Sequence, residues 1–513
     1  MLRAGEALAR PHRGARVLRR TAMVAIVAVA SACGVGSWTV NPTPSPVRAV
    51  HAALLKNGNV LLIQGSGNDP NLFAAGTFKT TEWNPVQNTF RSVSTPYDMF
   101  CSGHAALPDG SLLVAGGTAA YPDSATGLDY RGSNHAYKYD VATHKYVAVP
   151  DLTEGHWYPT LVNRGDGTIV MVSGLDQNAA LKSNAQIFDS TAAGGAGAWS
   201  SQFTTASFFP PYPALHLMAD GRYLFSGVST FGDGSDDAGI WDATANTFTS
   251  VPGLPDRYQR DMGASVMLPP AQSQRVMVMG GGSHPKPEVV ATASTAIIDL
   301  STPSPSFTAG PDLAESKQYV SAVILPDRTV LQSGGSNESY LDRDLPSFKY
   351  RYTAQIFHPD TGAWETAKSS TVGRTYHSEA LLLPDGRVAT FGGNASDAGD
   401  PFEMRIELYT PEYMTKTRPV LTVGTAARSF ARGGTTTFTA DQPLKWVHIV
   451  RPGSATHSND PDQRLVDMPF TQTGSSVTAT LDPNPNLTPP GWYMLFGVDT
   501  AGTPSVATWV HVT

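Results

Sequence analysis

Cysteine is nearly absent from this 513-residue chain, occurring only at Cys33 and Cys101. Internal disulfides are therefore excluded as a framework. With Cys33 in the leader, Cys101 has no partner and is either an inert buried residue or a thiol kept for chemistry. Charge is also scarce, at 15% of residues with a formal net charge of -7. No basic stripe or aromatic-basic interleaving is present, which argues against a nucleic-acid partner. Long apolar runs are missing too. The one candidate, residues 21–32, follows a segment with six arginines and one glutamate and is short for a membrane span. It reads as a secretory signal ending in Ala30-Ser31-Ala32, which puts the protein in secreted or cell-surface space. Arg19-Arg20 leaves a twin-arginine signal open, and Cys33 leaves lipid acylation open. Residues 1–33 are thus expected as a signal peptide or as a membrane or lipid anchor.

Turn formers are plentiful, with 48 Gly and 39 Pro, and suit an all-β protein. After a Pro-rich linker expected over residues 34–46, one hairpin pattern recurs. In Ala105-Ala106-Leu107-Pro108-Asp109-Gly110-Ser111-Leu112-Leu113-Val114-Ala115-Gly116-Gly117, two apolar runs flank a Pro-Asp-Gly turn. Six more copies carry Asn57-Gly58, Asp166-Gly167, Asp220-Gly221, Asp327-Arg328 or Asp385-Gly386, and one carries Pro269-Pro270-Ala271-Gln272 instead. Each is followed by a further strand pair. Seven copies at 50 to 58 residues predict a seven-bladed kelch-type β-propeller over residues 47–414. From about Thr415 the spacing changes to short alternating strands, which predict an immunoglobulin-like β-sandwich over 415–513.

Aligning the hairpins on their turns exposes a column that reads Ala49, Cys101, Tyr158, Tyr212, Met262, Tyr319 and His377. Radially repeated units place equivalent residues at equivalent radii, so a thiol, phenols and an imidazole should ring one end of the central axis. Tyr376 precedes His377, and neighbouring strand residues point to opposite faces, so both reach one centre only where the strand begins. His457 lies in a loop of the expected sandwich, where a lone histidine carries no signal by itself. Two imidazoles and two phenolates around an ion form an N₂O₂ set that suits tetragonal Cu(II) better than zinc. The residues alone therefore reach a candidate copper site.

The pieces Phe100-Cys101-Ser102-Gly103-His104, Trp157-Tyr158-Pro159-Thr160, Arg374-Thr375-Tyr376-His377-Ser378, and Thr456-His457 with Asp462-Gln463-Arg464, taken with the repeats and the sandwich, resemble the copper radical oxidases. That family includes galactose oxidase and glyoxal oxidase, and the likeness is greater to the glyoxal oxidase branch. The resemblance implies one copper ion held by Tyr158, Tyr376, His377 and His457, and a thioether between Cys101 and Tyr158 that carries the radical. It implies that Tyr376 is the base, that a small aldehyde or primary alcohol is the substrate, and that O₂ leaves as H₂O₂. The aromatic shield of galactose oxidase is missing from Gly174-Leu175-Asp176-Gln177-Asn178. Trp157 is expected to point away into an interface between blades, and Asp462-Gln463-Arg464 to brace the loop of His457. A glycan- or partner-binding propeller is the rival reading, and it leaves Cys101, Tyr158, Tyr376, His377 and His457 unexplained as a set.

Overall fold

The structure, a computed structural model, describes residues 34–232, 237–282, 291–339 and 346–513. The leader expected over 1–33 lies outside them, and among the described residues no helix is long and apolar enough to cross a membrane.

Each repeat becomes an antiparallel sheet, four-stranded in five cases and five-stranded in the first and third. In the second, Ser102–Ala106, Leu112–Gly116, Ala136–Asp140 and Lys145–Ala148 pair in that order. Burial falls across the sheet, from the fully buried Leu112–Gly116 to the mostly exposed Lys145–Ala148. A continuous apolar run such as Leu112-Leu113-Val114-Ala115 suits a strand covered on both faces. The turns close as their chemistry requires: Asp109 Oδ1 accepts the Ser111 amide at 2.8 Å, and Gly110 takes φ of 82°. Asp166, Asp220 and Asp385 repeat this bond at 2.9, 3.0 and 2.9 Å. Where the glycine is missing, Arg328 itself adopts φ of 70°.

The inner strands of successive repeats lie beside one another. Ser102–Ala106, Thr160–Asn163 and Leu215–Leu217 form one run, and Ala264–Met267, Ser321–Ile324, Ser378–Leu382 and His51–Leu54 form another. The seventh sheet is completed from the other end of the chain, because Ser37–Val40 pairs antiparallel with Glu407–Thr410. Part of the expected linker 34–46 is therefore a strand. Ser37-Trp38-Thr39-Val40 is rich in β-formers, whereas the prolines that remove amide donors begin only at Pro42.

The C-terminal strands form two sheets, built around Thr435–Ala440 with Ser476–Thr480 and around Leu444–Val450 with Gly491–Asp499. Phe438 and Val477 of one share a core with Ile449 and Leu495 of the other, and that core continues into Val276 and Val278 of the fifth repeat. Residues 34–513 accordingly form one compact unit. One short strand leaves these sheets: Ser454–Thr456 pairs with the inner strand of the first repeat, with His51 opposite Thr456 and Ala53 opposite Ser454.

Candidate metal centre

Every member of the column is buried. Six of the seven, Cys101, Tyr158, Tyr212, Met262, Tyr319 and His377, take φ between 46° and 69°. Left-handed backbone costs a non-glycine residue about 1–3 kcal/mol. Its recurrence at one position shows a shared device, in which each inner strand begins with a residue turned out of the pleat. The main chain links these positions directly: the Tyr158 amide donates to Cys101 O and the Tyr212 amide to Tyr158 O, both at 3.0 Å. The exception, Ala49, has only a methyl group and no donor atom to offer. There the inserted strand carries His457, itself at φ of 52°, in register to the level of Val50.

Five side chains converge as a result. The hydroxyls of Tyr158 and Tyr376 touch, and His457 Nε2 stands 3.2 Å from Tyr158 Oη. Cys101 Sγ is 3.9 Å from His377 Nε2 and 3.9 Å from His457 Nε2. Both imidazoles are oriented from behind. His377 Nδ1 meets Asn394 Oδ1 at 2.9 Å and His457 Nδ1 meets Thr456 Oγ1 at 2.7 Å, so each Nε2 faces the centre. The His457 amide donates to Glu379 Oε1 at 2.9 Å.

Burial sets the protonation. It pushes His377 down to about 3 and His457 well below its ordinary range, so both imidazoles are neutral with a lone pair available. Burial, then the charge of Cys101, pushes the Tyr376 phenol well up. A phenolate here therefore needs a cation beside it. Neutral imidazoles and phenols around one dry point fit Cu(II), and both Nε2 atoms and both hydroxyls are turned the right way to hold it.

Residues 74–413 match the family profile described as Glyoxal oxidase N-terminus, and residues 418–512 match Galactose oxidase-like, Early set domain. The chain belongs to the glyoxal oxidase family. Two relatives show its range. A galactose oxidase of Gibberella zeae is 25% identical over 94% of this chain and 71% of its own length. An aldehyde oxidase GLOX of Vitis pseudoreticulata is 26% identical over 95% of this chain and 99% of its own. A fungal alcohol oxidase of the AA5 family, solved in complex with copper, shares the fold, with a TM-score of 0.77 and 22% identity over 94% of this chain and all of that one.

The surroundings of Tyr158 are where the structure departs from the expectation drawn from sequence. Trp157 does not point away. Its backbone pairs with Leu175 through two 2.8 Å bonds, and its ring lies 4.0 Å from the Tyr158 ring, centroid to centroid. The loop Gly174-Leu175-Asp176-Gln177-Asn178, which has no aromatic of its own, thus anchors the tryptophan that lies just ahead of Thr160–Asn163. Phe231 also packs here, 5.8 Å from Tyr158 and 5.5 Å from Tyr376. Tyr212 packs at 4.6 Å from Tyr158 and 4.7 Å from His457, while Tyr319 stands 6.0 Å from Tyr376. Asp462-Gln463-Arg464 braces the finger: Asp462 accepts Asn163 Nδ2 at 2.6 Å and Arg451 Nε at 3.0 Å, and Gln463 donates to Ala322 O at 2.8 Å. Asn394, Glu379 and Phe231 were not singled out from sequence, and Thr456 was noted only as the neighbour of His457. Asn394 follows Gly392-Gly393, a recurring position that could have been read, whereas Phe231 lies in irregular chain with no periodic signal.

Proposed function

We propose that this protein is an extracytoplasmic copper radical oxidase that converts small aldehydes, as their hydrates, to carboxylic acids with O₂, producing H₂O₂. Oxidation of primary alcohols, including galactose, is the second reading, favoured by the names of the galactose oxidase and alcohol oxidase relatives. The observation that carries the proposal is the convergence of Cys101, Tyr158, Tyr376, His377 and His457 on one buried point from four separate places in the chain. In this reading the seven sheets are the blades of a kelch-type propeller over 47–414, and the sandwich over 415–513 pushes His457 into its channel. Residues 1–33 export or anchor the chain.

Copper held by Tyr158, Tyr376, His377 and His457 would supply one of the two oxidising equivalents. The other is stored on Tyr158, cross-linked through sulfur to Cys101. Tyr376 Oη takes the substrate hydroxyl proton, since burial makes its phenolate a strong base. The oxidised Tyr158 then accepts the hydrogen from the substrate carbon. Trp157 and Phe231 keep water from the Tyr158 ring. Two electrons and two protons leave the hydrate, and O₂ takes both pairs.

Peptide mass analysis after copper loading in air tests this. A Cys101–Tyr158 peptide pair lighter by two hydrogens than the separate peptides is expected, and a free Cys101 thiol would overturn the radical reading. Tyr376→Phe should keep the copper and the cross-link while turnover disappears; full activity would remove its role as base.

A further inference from the structure

The Tyr158 ring is the inner end of a file of aromatic rings that reaches the surface. Trp157 lies 4.0 Å from Tyr158, and Tyr130 stacks on Trp157 at 4.3 Å with planes only 5° apart. Tyr121 follows at 5.1 Å from Tyr130, and half-buried Phe73 at 5.1 Å from Tyr121. The two tyrosines stand at the neck of one loop, held by the short pairing of Thr118–Ala120 with Arg131–Gly132. Packing alone requires rings here but not phenols. The hydroxyls are nonetheless placed: Tyr130 Oη donates to Asn68 Oδ1 at 2.5 Å. Tyr121 Oη is 2.8 Å from Ser66 Oγ, which donates to Asp98 Oδ2 at 2.6 Å.

We infer that Trp157, Tyr130 and Tyr121 form an electron-transfer route by which a one-electron, outer-sphere oxidant in solvent oxidises Tyr158 without entering the substrate site. The inference rests on the reading of Tyr158 as the radical residue. The oxidant takes one electron from Tyr121, whose phenolic proton passes to Ser66 Oγ while Ser66 gives its own to Asp98. The electron hole then moves through Tyr130 and Trp157 to the Tyr158 phenolate. As Tyr121 is refilled, its proton returns from Asp98. The net change is one electron from Tyr158 to the oxidant, with no proton lost. Burial lifts the Asp98 carboxyl to about 6, which makes it a better proton acceptor than an ordinary carboxylate.

The test uses the reduced, copper-loaded enzyme without O₂ or substrate, mixed with hexachloroiridate(IV), and follows the tyrosyl radical by its absorption and by electron paramagnetic resonance. Tyr121→Phe and Tyr130→Phe keep the rings and remove the phenols. Each should slow radical formation by about tenfold or more, as a higher intermediate step raises the barrier, and leave O₂-dependent turnover unchanged. Equal rates in wild type and both variants would overturn the route. In metal-free, cross-linked protein, flash oxidation by tris(bipyridine)ruthenium(III) should show the same slowing of the Tyr158 signal, a readout independent of turnover. Peptide mass on the same samples separates the two failures: an intact cross-link with equal rates removes only the route, whereas a missing cross-link removes the radical reading and the route with it.

Discussion

His377 ends the column of the seventh repeat, whereas His457 arrives on a finger from the C-terminal sheets, and the two regions hold their histidines by different physics. Around His377 the chain is supported by ladder hydrogen bonds, a strand buried on both faces and the Asn394 amide bonded to Tyr376 O at 2.6 Å. Around His457 the support is a three-residue strand and a set of buried polar contacts: the Arg451–Asp462 ion pair, the Asp462 contact with Asn163, and the Glu379 carboxyl beneath the His457 amide. Apolar burial is distributed over many residues and degrades gradually when one is changed. A buried ion pair concentrates its effect, because loss of one partner leaves the other charged and desolvated.

Breaking that ion pair should therefore give the largest effect. Arg451→Met is expected to cost about 3–5 kcal/mol locally, loosening the finger and releasing copper while the seven sheets stay folded. Hydrogen exchange over residues 454–464, read together with copper content, checks this. Wild-type protection in the variant would erase the distinction between the two regions.

A smaller effect is expected from the residues that aim the imidazoles. Asn394→Ala and Thr456→Val each should lower copper affinity by about 10–100-fold, measured by competition with a chelator. If the finger is the softer region, Thr456→Val should show the larger loss. Equal losses would mean that the finger is as stiff as the repeat once folded.

The smallest effect is a dependence on pH confined to the finger. Burial, then the neighbouring Asp462, pushes the Asp460 carboxyl up to about 7. A carboxyl raised in the fold is stabilising while protonated, so its contribution is complete below its unfolded value of 3.8 and is lost as pH rises through about 7. Finger protection and copper retention should fall over that window, and Asp460→Asn should flatten the profile. A profile unchanged by the substitution would place the titration elsewhere.

Much of the repeated region was legible because its devices are local. The Asp-Gly turns, the apolar runs and the seven-member column recur at fixed offsets, and the left-handed backbone at six column positions is what that offset means in three dimensions. Trp157 was misread for a physical reason. Strand alternation turns it away from Tyr158, but the left-handed Tyr158 ends the alternation and lets both rings meet. The bounds of the strand within the linker carried no local signal, because Ser37–Val40 has no local partner and pairs with residues at the far end of the repeats.

The sequence by itself determined the number of hairpins, the column and the types of donor that could meet there, since period and turn chemistry are properties of neighbouring residues. Only the tertiary structure decided by what path His457 reaches them, that Asn394 and Thr456 aim the imidazoles, and that Trp157 covers Tyr158. Those outcomes depend on the pairing of His51 with Thr456 and on the contact of Asp462 with Asn163, and no local pattern encodes a register between segments so far apart.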